Sequence, residues 1–295
     1  MRQTVRAAVS PITRSSGQLS IQVEVSQGRV VNAQVTGGVY RGFERIMRGR
    51  VPSDAPYLTA RICGICSTAH AYVSSLMLDQ ACDAEVPDNG RLLRNLMLGA
   101  EMLQNQLRHF YFFELPDYIE GPPVSAFLNP AGGDRRFSRE ENERLLGHYQ
   151  EAVEASARCH QIIALLGAKA PHPHGITAGG ATVAPRADIL NKFAALLGQV
   201  RLFIDTRLLP DTCRLAETYP DYFEIGQGPG NFMSFGGFPD GKGGFAFPRG
   251  VVINGRRLPL DFGEITESAG YTWLRQAGEM KEPDPGRREA YSWVE

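Results

Sequence analysis

The sequence predicts an α+β fold that is predominantly α-helical, with long central helices packed with small antiparallel β elements near both ends. Three observations predict it. Apolar residues recur at three- and four-residue steps through the middle of the chain, as in Leu93, Leu96, Met97, Ala100, Leu103, Leu107 and Phe110. Alternating apolar runs flank a short break near the N-terminus. An Asn-Gly pair lies between two β-like runs towards the other end.

Taken in order, "QLSIQVEV" and "RVVNAQV" around "SQG" read as an antiparallel hairpin. The period lengthens towards helix from "YRGFERIMRGR", and again through "STAHAYVSSLMLDQAC". A long helix follows over "RLLRNLMLGAEMLQNQLRHFYFF", then a Pro/Gly-rich connection, "LPDYIEGPPVSAFLNPAGGDRRF". Ser138 with Glu141 three residues on reads as a helix start, and Gly167 as its stop. Another helix begins near Pro185 and carries Ile189, Phe193, Leu196, Leu197, Val200, Phe203 and Ile204 on one side. The segment "GQGPGNFMSFGGFPDGKGGFAFPRG" reads as irregular, and Asn254-Gly255 as a type I′ turn between strands.

With 43% hydrophobic and 21% charged residues, the 295-residue chain suits a folded protein, and one domain over 1–295 is expected. A net charge of −1 gives no electrostatic footprint for nucleic acid. No apolar run is long enough for a transmembrane segment, and the N-terminus lacks the apolar core of a secretory signal. Five irregularly spaced cysteines do not form a disulfide framework.

The chemistry concentrates in "RICGICSTAH". With a helix starting at the first cysteine, Cys63 and Cys66 would lie one turn apart, with His70 a further turn along. Unpaired amides at that start, together with Arg61, would favour thiolates over thiols. Soft thiolates select zinc, copper(I), iron–sulfur clusters or other late transition metals. Spacing alone leaves three readings open: a dithiol redox site, part of a zinc site with no second Cys-x-x-Cys here, or two inert buried thiols. Cys82, Cys159 and Cys213 complete no ligand set.

The wider stretch "YRGFERIMRGRVPSDAPYLTARICGICSTAHAYVSS" resembles the N-terminal signature of the large, catalytic subunit of nickel–iron hydrogenases, with Arg-x-Cys-Gly-x-Cys-x-x-x-His at its centre. The likeness continues through "LRNLMLGAEMLQNQLRHFYFFELPDY", "APHPHGITAGGAT", "GNFMSFGGFPD" and "YSW". The resemblance implies that large-subunit fold in incomplete form, and reversible heterolytic cleavage of H2 with electrons passed to iron–sulfur clusters of a partner. It implies a nickel–iron centre with CO and CN ligands, Cys63 terminal on nickel and Cys66 bridging nickel and iron. His70 would donate a hydrogen bond to the bridging sulfur, and Arg61 would sit against the sulfurs. Glu44 would help hold a magnesium ion, and His172 and His174 would face the nearest partner cluster. A hydrogenase-like H2 sensor or a redox-complex scaffold with little turnover is the alternative. The respiratory NADH dehydrogenase core shares the fold, but its members have lost the cysteines.

The family's second Cys-x-x-Cys is absent from residues 1–295, so the resemblance implies a large subunit that is either truncated or split over two polypeptides. The split is the favoured expectation, with a second polypeptide carrying that half, an iron–sulfur small subunit and maturation proteins as partners. Two further departures touch proton movement. Ser16 stands where relatives place a relay glutamate, and Asn105 where they often place an aspartate above the metals. His109 matches the family and by itself reads as a packed core histidine. The expected compartment is cytoplasmic, with membrane association through partners or periplasmic co-export compatible with the sequence.

Overall fold

The computed structural model describes residues 4–15, 17–37, 39, 41–121 and 133–265. The chain divides into two compact units, Met1–Gly49 with Asp261–Glu295, and Arg50–Leu260.

The first unit contains a three-stranded antiparallel sheet, β1 (Thr4–Val9), β2 (Leu19–Ser26) and β3 (Arg29–Gly37), in the order β1-β2-β3. β2 and β3 are the expected hairpin. Gln27 at φ 54° and Gly28 at φ 75° give the two left-handed positions that a two-residue turn needs. β1 is an added strand. Its Val5, Ala7 and Val9 pair with Val25, Val23 and Ile21, so the pleat gathers apolar side chains on one face. On the other face Arg6 pairs with Glu24 at 2.8 Å. The helix expected from Tyr40 is confined to α1 (Phe43–Met47).

The second unit is helical. α2 (Ala55–Thr59) leads to α3 (Ser67–Ala81), α4 (Asp88–Arg108), α5 (Arg139–Gly167), α6 (Ala187–Phe203) and α7 (Leu209–Thr218). α4 runs on through a π-helical turn at His109–Glu114, and α6 through another at Ile204–Leu208 into α7. α5 starts where the sequence placed it: Ser138 Oγ accepts the Glu141 N–H, and Glu141 reaches back to the Ser138 amide. Two buried clusters share α4, α5 and α6. One gathers Leu107, Tyr111, Leu145, Ala155, Cys159 and Phe203, and the other Leu93, Met97, Ala100, Ile162, Leu166 and Ile176.

The glycine- and phenylalanine-rich segment is not wholly irregular. It contains β6 (Phe232–Ser234) and a hairpin of β7 (Gly237–Pro239) with β8 (Phe245–Phe247). Strands of three residues are too short to show a period. Asp240 closes the hairpin turn instead, its carboxylate accepting the Lys242 and Gly244 amides at 2.7 and 2.9 Å. β9 (Gly250–Ile253) and β10 (Arg256–Leu258) flank the expected Asn254-Gly255 turn. Around these elements Phe223, Ile225 and Phe232 are 64%, 70% and 68% exposed.

A buried cation ties α3, α4 and a small hairpin together. Arg94 on α4 is 1% exposed, and its guanidinium forks onto the Asp79 carboxylate of α3 at 2.5 and 3.2 Å. It also donates to the carbonyls of Thr177 and Gly180, in the hairpin of β4 (Ile176–Thr177) and β5 (Gly180–Ala181). That hairpin lies so close to α4 that a Cβ on Gly90 would sit 2.9 Å from the Gly180 Cα. Removing one partner of a buried pair leaves the other charge uncompensated. Arg94→Ala is therefore expected to lose about 3–5 kcal/mol, read as a lower urea midpoint at unchanged slope. A midpoint equal to the parent's would show that the pair adds nothing.

Candidate metal centre

The cysteines lie in a turn, not in a helix. After α2 the chain tightens through Arg61 N–H to the Leu58 carbonyl at 3.0 Å and Ile62 N–H to the Thr59 carbonyl at 2.9 Å. Cys63 follows, and α3 begins only at Ser67, with Cys66 as its N-cap residue at φ −117° and ψ 34°. The Cys66 N–H points at Cys63 Sγ, 3.2 Å away. Both thiols are free and half-buried, and a Cβ on Gly64 would meet nothing within 4 Å. Space is open beside the sulfurs.

The amides at the start of α3 do not serve the thiols. Glu101, 3% exposed on α4, takes them: its carboxylate accepts the Thr68 N–H at 2.6 Å and the Ala69 N–H at 2.9 Å. Burial raises the Glu101 pKa, opposed by those amide bonds. With the amides engaged, the expected thiolate stabilisation fails. Burial first, then the neighbouring Cys63 and the Glu101 charge, push the Cys66 thiol up to about 12.

His70 sits on the first turn of α3, its N–H bonded to the Cys66 carbonyl at 3.2 Å. Burial lowers its pKa, which favours the neutral imidazole. Among the described residues its ring makes no hydrogen bond to either sulfur. Arg61 is half-buried directly before the turn. His172, expected to face a partner, is engaged within the chain: its Nδ1 lies 2.8 Å from the Ala60 carbonyl and its N–H donates to Ser67 Oγ at 3.0 Å. His174 is exposed and meets the Tyr57 ring edge-on at 5.8 Å. Asn105 is one turn beyond Glu101 on α4, and its Oδ1 is buried with no hydrogen-bond partner among the described residues. His109 is not a packed core histidine. Its side chain is 71% exposed and 3.5 Å from Glu114, because the π-helical turn gives the interior to Phe110 and Tyr111. Glu44 lies on α1, its side chain outside the described residues, as is Ser16 and the "YSW" stretch.

The sequence model of the nickel-dependent hydrogenases matches residues 41–128 and 124–294. This chain belongs to that family. It is 37% identical to the periplasmic [NiFeSe] hydrogenase large subunit of Desulfomicrobium baculatum, over 98% of this chain and 60% of the relative. It is 28% identical to the hydrogenase-1 large chain of Escherichia coli K12, over 92% of this chain and 57% of the relative. Its fold superposes on the reduced Ni-Fe-Se hydrogenase of D. vulgaris Hildenborough with a TM-score of 0.91 at 38% identity, covering 98% of this chain and 62% of that one. The fold is thus that of a nickel–iron hydrogenase large subunit, in part: this chain spans about 60% of the length of the D. baculatum relative.

The donor chemistry present fits a late transition metal such as nickel. Two soft sulfurs face each other across an open turn, and among the described residues no group of three or more His, Cys, Asp or Glu could hold a metal. Sequence reasoning missed Glu101 and Ser67. The available signal was a lone carboxylate four residues after Met97, within the apolar stripe of α4. In the metal-free hydrogenase chain, alkylation of Cys66 should climb about tenfold per pH unit from about pH 7 to 10. A rate that levels off at about pH 9, as for an ordinary thiol, mapped by mass spectrometry, would mean the thiol is not raised.

Proposed function

We propose that this chain is the N-terminal part of the catalytic subunit of a nickel–iron hydrogenase, catalysing the reversible heterolytic cleavage of H2. The observation that carries the reading is the pair of free thiols facing one turn in a family member whose described residues offer no third ligand. Cys63 Sγ would hold nickel terminally and Cys66 Sγ would bridge nickel to an iron carrying CO and CN ligands. When bound, the group supplies Lewis-acid polarisation of H2. Cys63 Sγ, half-buried in the turn, would be the atom of this chain that takes up a proton. The Cys66 thiol must give up its proton on loading, so assembly releases acid at this position. The half-buried neutral imidazole of His70 can orient the bridging sulfur from one turn along α3.

Further thiolates would come from polypeptide outside residues 1–295, carrying a Cys-x-x-Cys, and electrons would leave through the iron–sulfur clusters of a small subunit. The exposed Phe223, Ile225 and Phe232 support coverage by further polypeptide. Residues 1–295 would work as one portion of this assembly, loaded by maturation proteins, with Glu44 beside a magnesium ion. No helix among the described residues is long and apolar enough to cross a membrane. The compartment is proposed as cytoplasmic, attached to a membrane only through partners; the D. baculatum relative is named as periplasmic.

Metal analysis and isotope exchange test the reading together. The purified assembly should contain nickel and iron in equal amounts and exchange H2 with D2O. Cys66→Ser should remove both properties while the chain remains folded. An assembly with neither metal would overturn the proposal in favour of a scaffold.

A further inference from the structure

The turn that carries the cysteines is bracketed at both ends by side chains from elsewhere in the second unit. Ahead of it, the Ala60 carbonyl receives a hydrogen bond from His172; a carbonyl can only accept, so Nδ1 carries the proton. Behind it, Thr68 and Ala69 donate to Glu101. Ser67 joins the two ends, since its Oγ receives the His172 N–H at 3.0 Å and lies 3.5 Å from Glu101 Oε1. The loop holding His172 is itself pinned, because the His174 and Gly175 amides both donate to the Gly167 carbonyl at the end of α5 at 3.0 Å. A Cβ on Gly175 would lie 2.9 Å from the Gly167 Cα, so this approach leaves no slack.

We propose that Glu101, Ser67 and His172 form a clamp that fixes the separation of Cys63 and Cys66, with Glu101 as its principal positioning residue. The clamp rests on the reading above, in which the two sulfurs hold the metals. Both Glu101 oxygens are used as acceptors. A glutamine has the same shape but turns one acceptor into an NH2 donor facing an amide donor. Glu101→Gln therefore removes the clamp's chemistry while conserving its volume.

The test compares the purified parent assembly with Glu101→Gln, Ser67→Ala and a remote control, Leu145→Ala, which opens a cavity in the other buried cluster. Two quantities are read: amide hydrogen exchange over residues 67–69 and 172, and the infrared bands of the metal-bound CO and CN. Glu101→Gln should speed exchange at 68 and 69 by about tenfold or more and shift the infrared bands. Ser67→Ala should speed exchange at 172 and shift the bands less. Leu145→Ala should lower stability and move neither. Unchanged exchange and bands in Glu101→Gln would overturn the clamp, as would equal shifts from the remote control. Should Glu101→Gln fail to assemble, unchanged exchange at 172 in Ser67→Ala overturns it instead. A parent assembly with no such bands would refute the metal reading, while the exchange measurement would still decide the clamp.

Discussion

A helix that begins inside a protein presents amide hydrogens that need acceptors, and at the start of α3 the acceptor is the carboxylate of Glu101. The cysteine turn depends on this contact. A carboxylate this buried is costly unless it is bonded, and free amides at the same depth are costly unless they are accepted. Each group answers the other's need, so α3 can start only where α4 supplies Glu101. Cys66, immediately before that start, inherits its position from the pair. The arrangement has a chemical consequence. The partial positive charge of the helix end is spent on a carboxylate, and the thiol next to it keeps its proton until something stronger displaces it.

The rest of the second unit holds this start in place. α4 carries Glu101, and through Arg94 it is tied to Asp79 on α3 and to the β4–β5 hairpin. That hairpin follows the loop bearing His172, so the two buried networks on α4 act on the same pair of segments seven residues apart on one helix. The site is therefore built on rigid helices, although the cysteines themselves lie in a turn. The described residues offer no group of three or more potential metal ligands, and Phe223, Ile225 and Phe232 are exposed.

Elements governed by local chemistry were legible in the sequence. Ser138 and Glu141 set the start of α5 through bonds that span three residues, and Asn254-Gly255 set a turn whose two residues take φ of 51° and 77°. The periodic stripe of α4 named the core face correctly, because Leu93, Met97, Ala100 and Leu107 are all buried. Elements governed by distant contacts were not legible. β1 exists because Val5, Ala7 and Val9 meet β2, and β7–β8 because Asp240 closes its turn. The period through "STAHAYVSSLMLDQAC" placed α3 where it starts, but the reading that began a helix at Cys63 does not hold, because the acceptor for its first amides lies on α4, more than thirty residues on. His109 was misplaced for a similar reason: the π-helical turn shifts the register by which a buried face is counted.

The proposed site joins the two sulfurs of this chain to further sulfurs around nickel. X-ray absorption at the nickel edge of the purified assembly measures this directly. A first shell of about four sulfurs per nickel, losing sulfur when Cys63 or Cys66 is replaced by serine, is the predicted result. A shell dominated by nitrogen and oxygen, or one indifferent to both replacements, would contradict it.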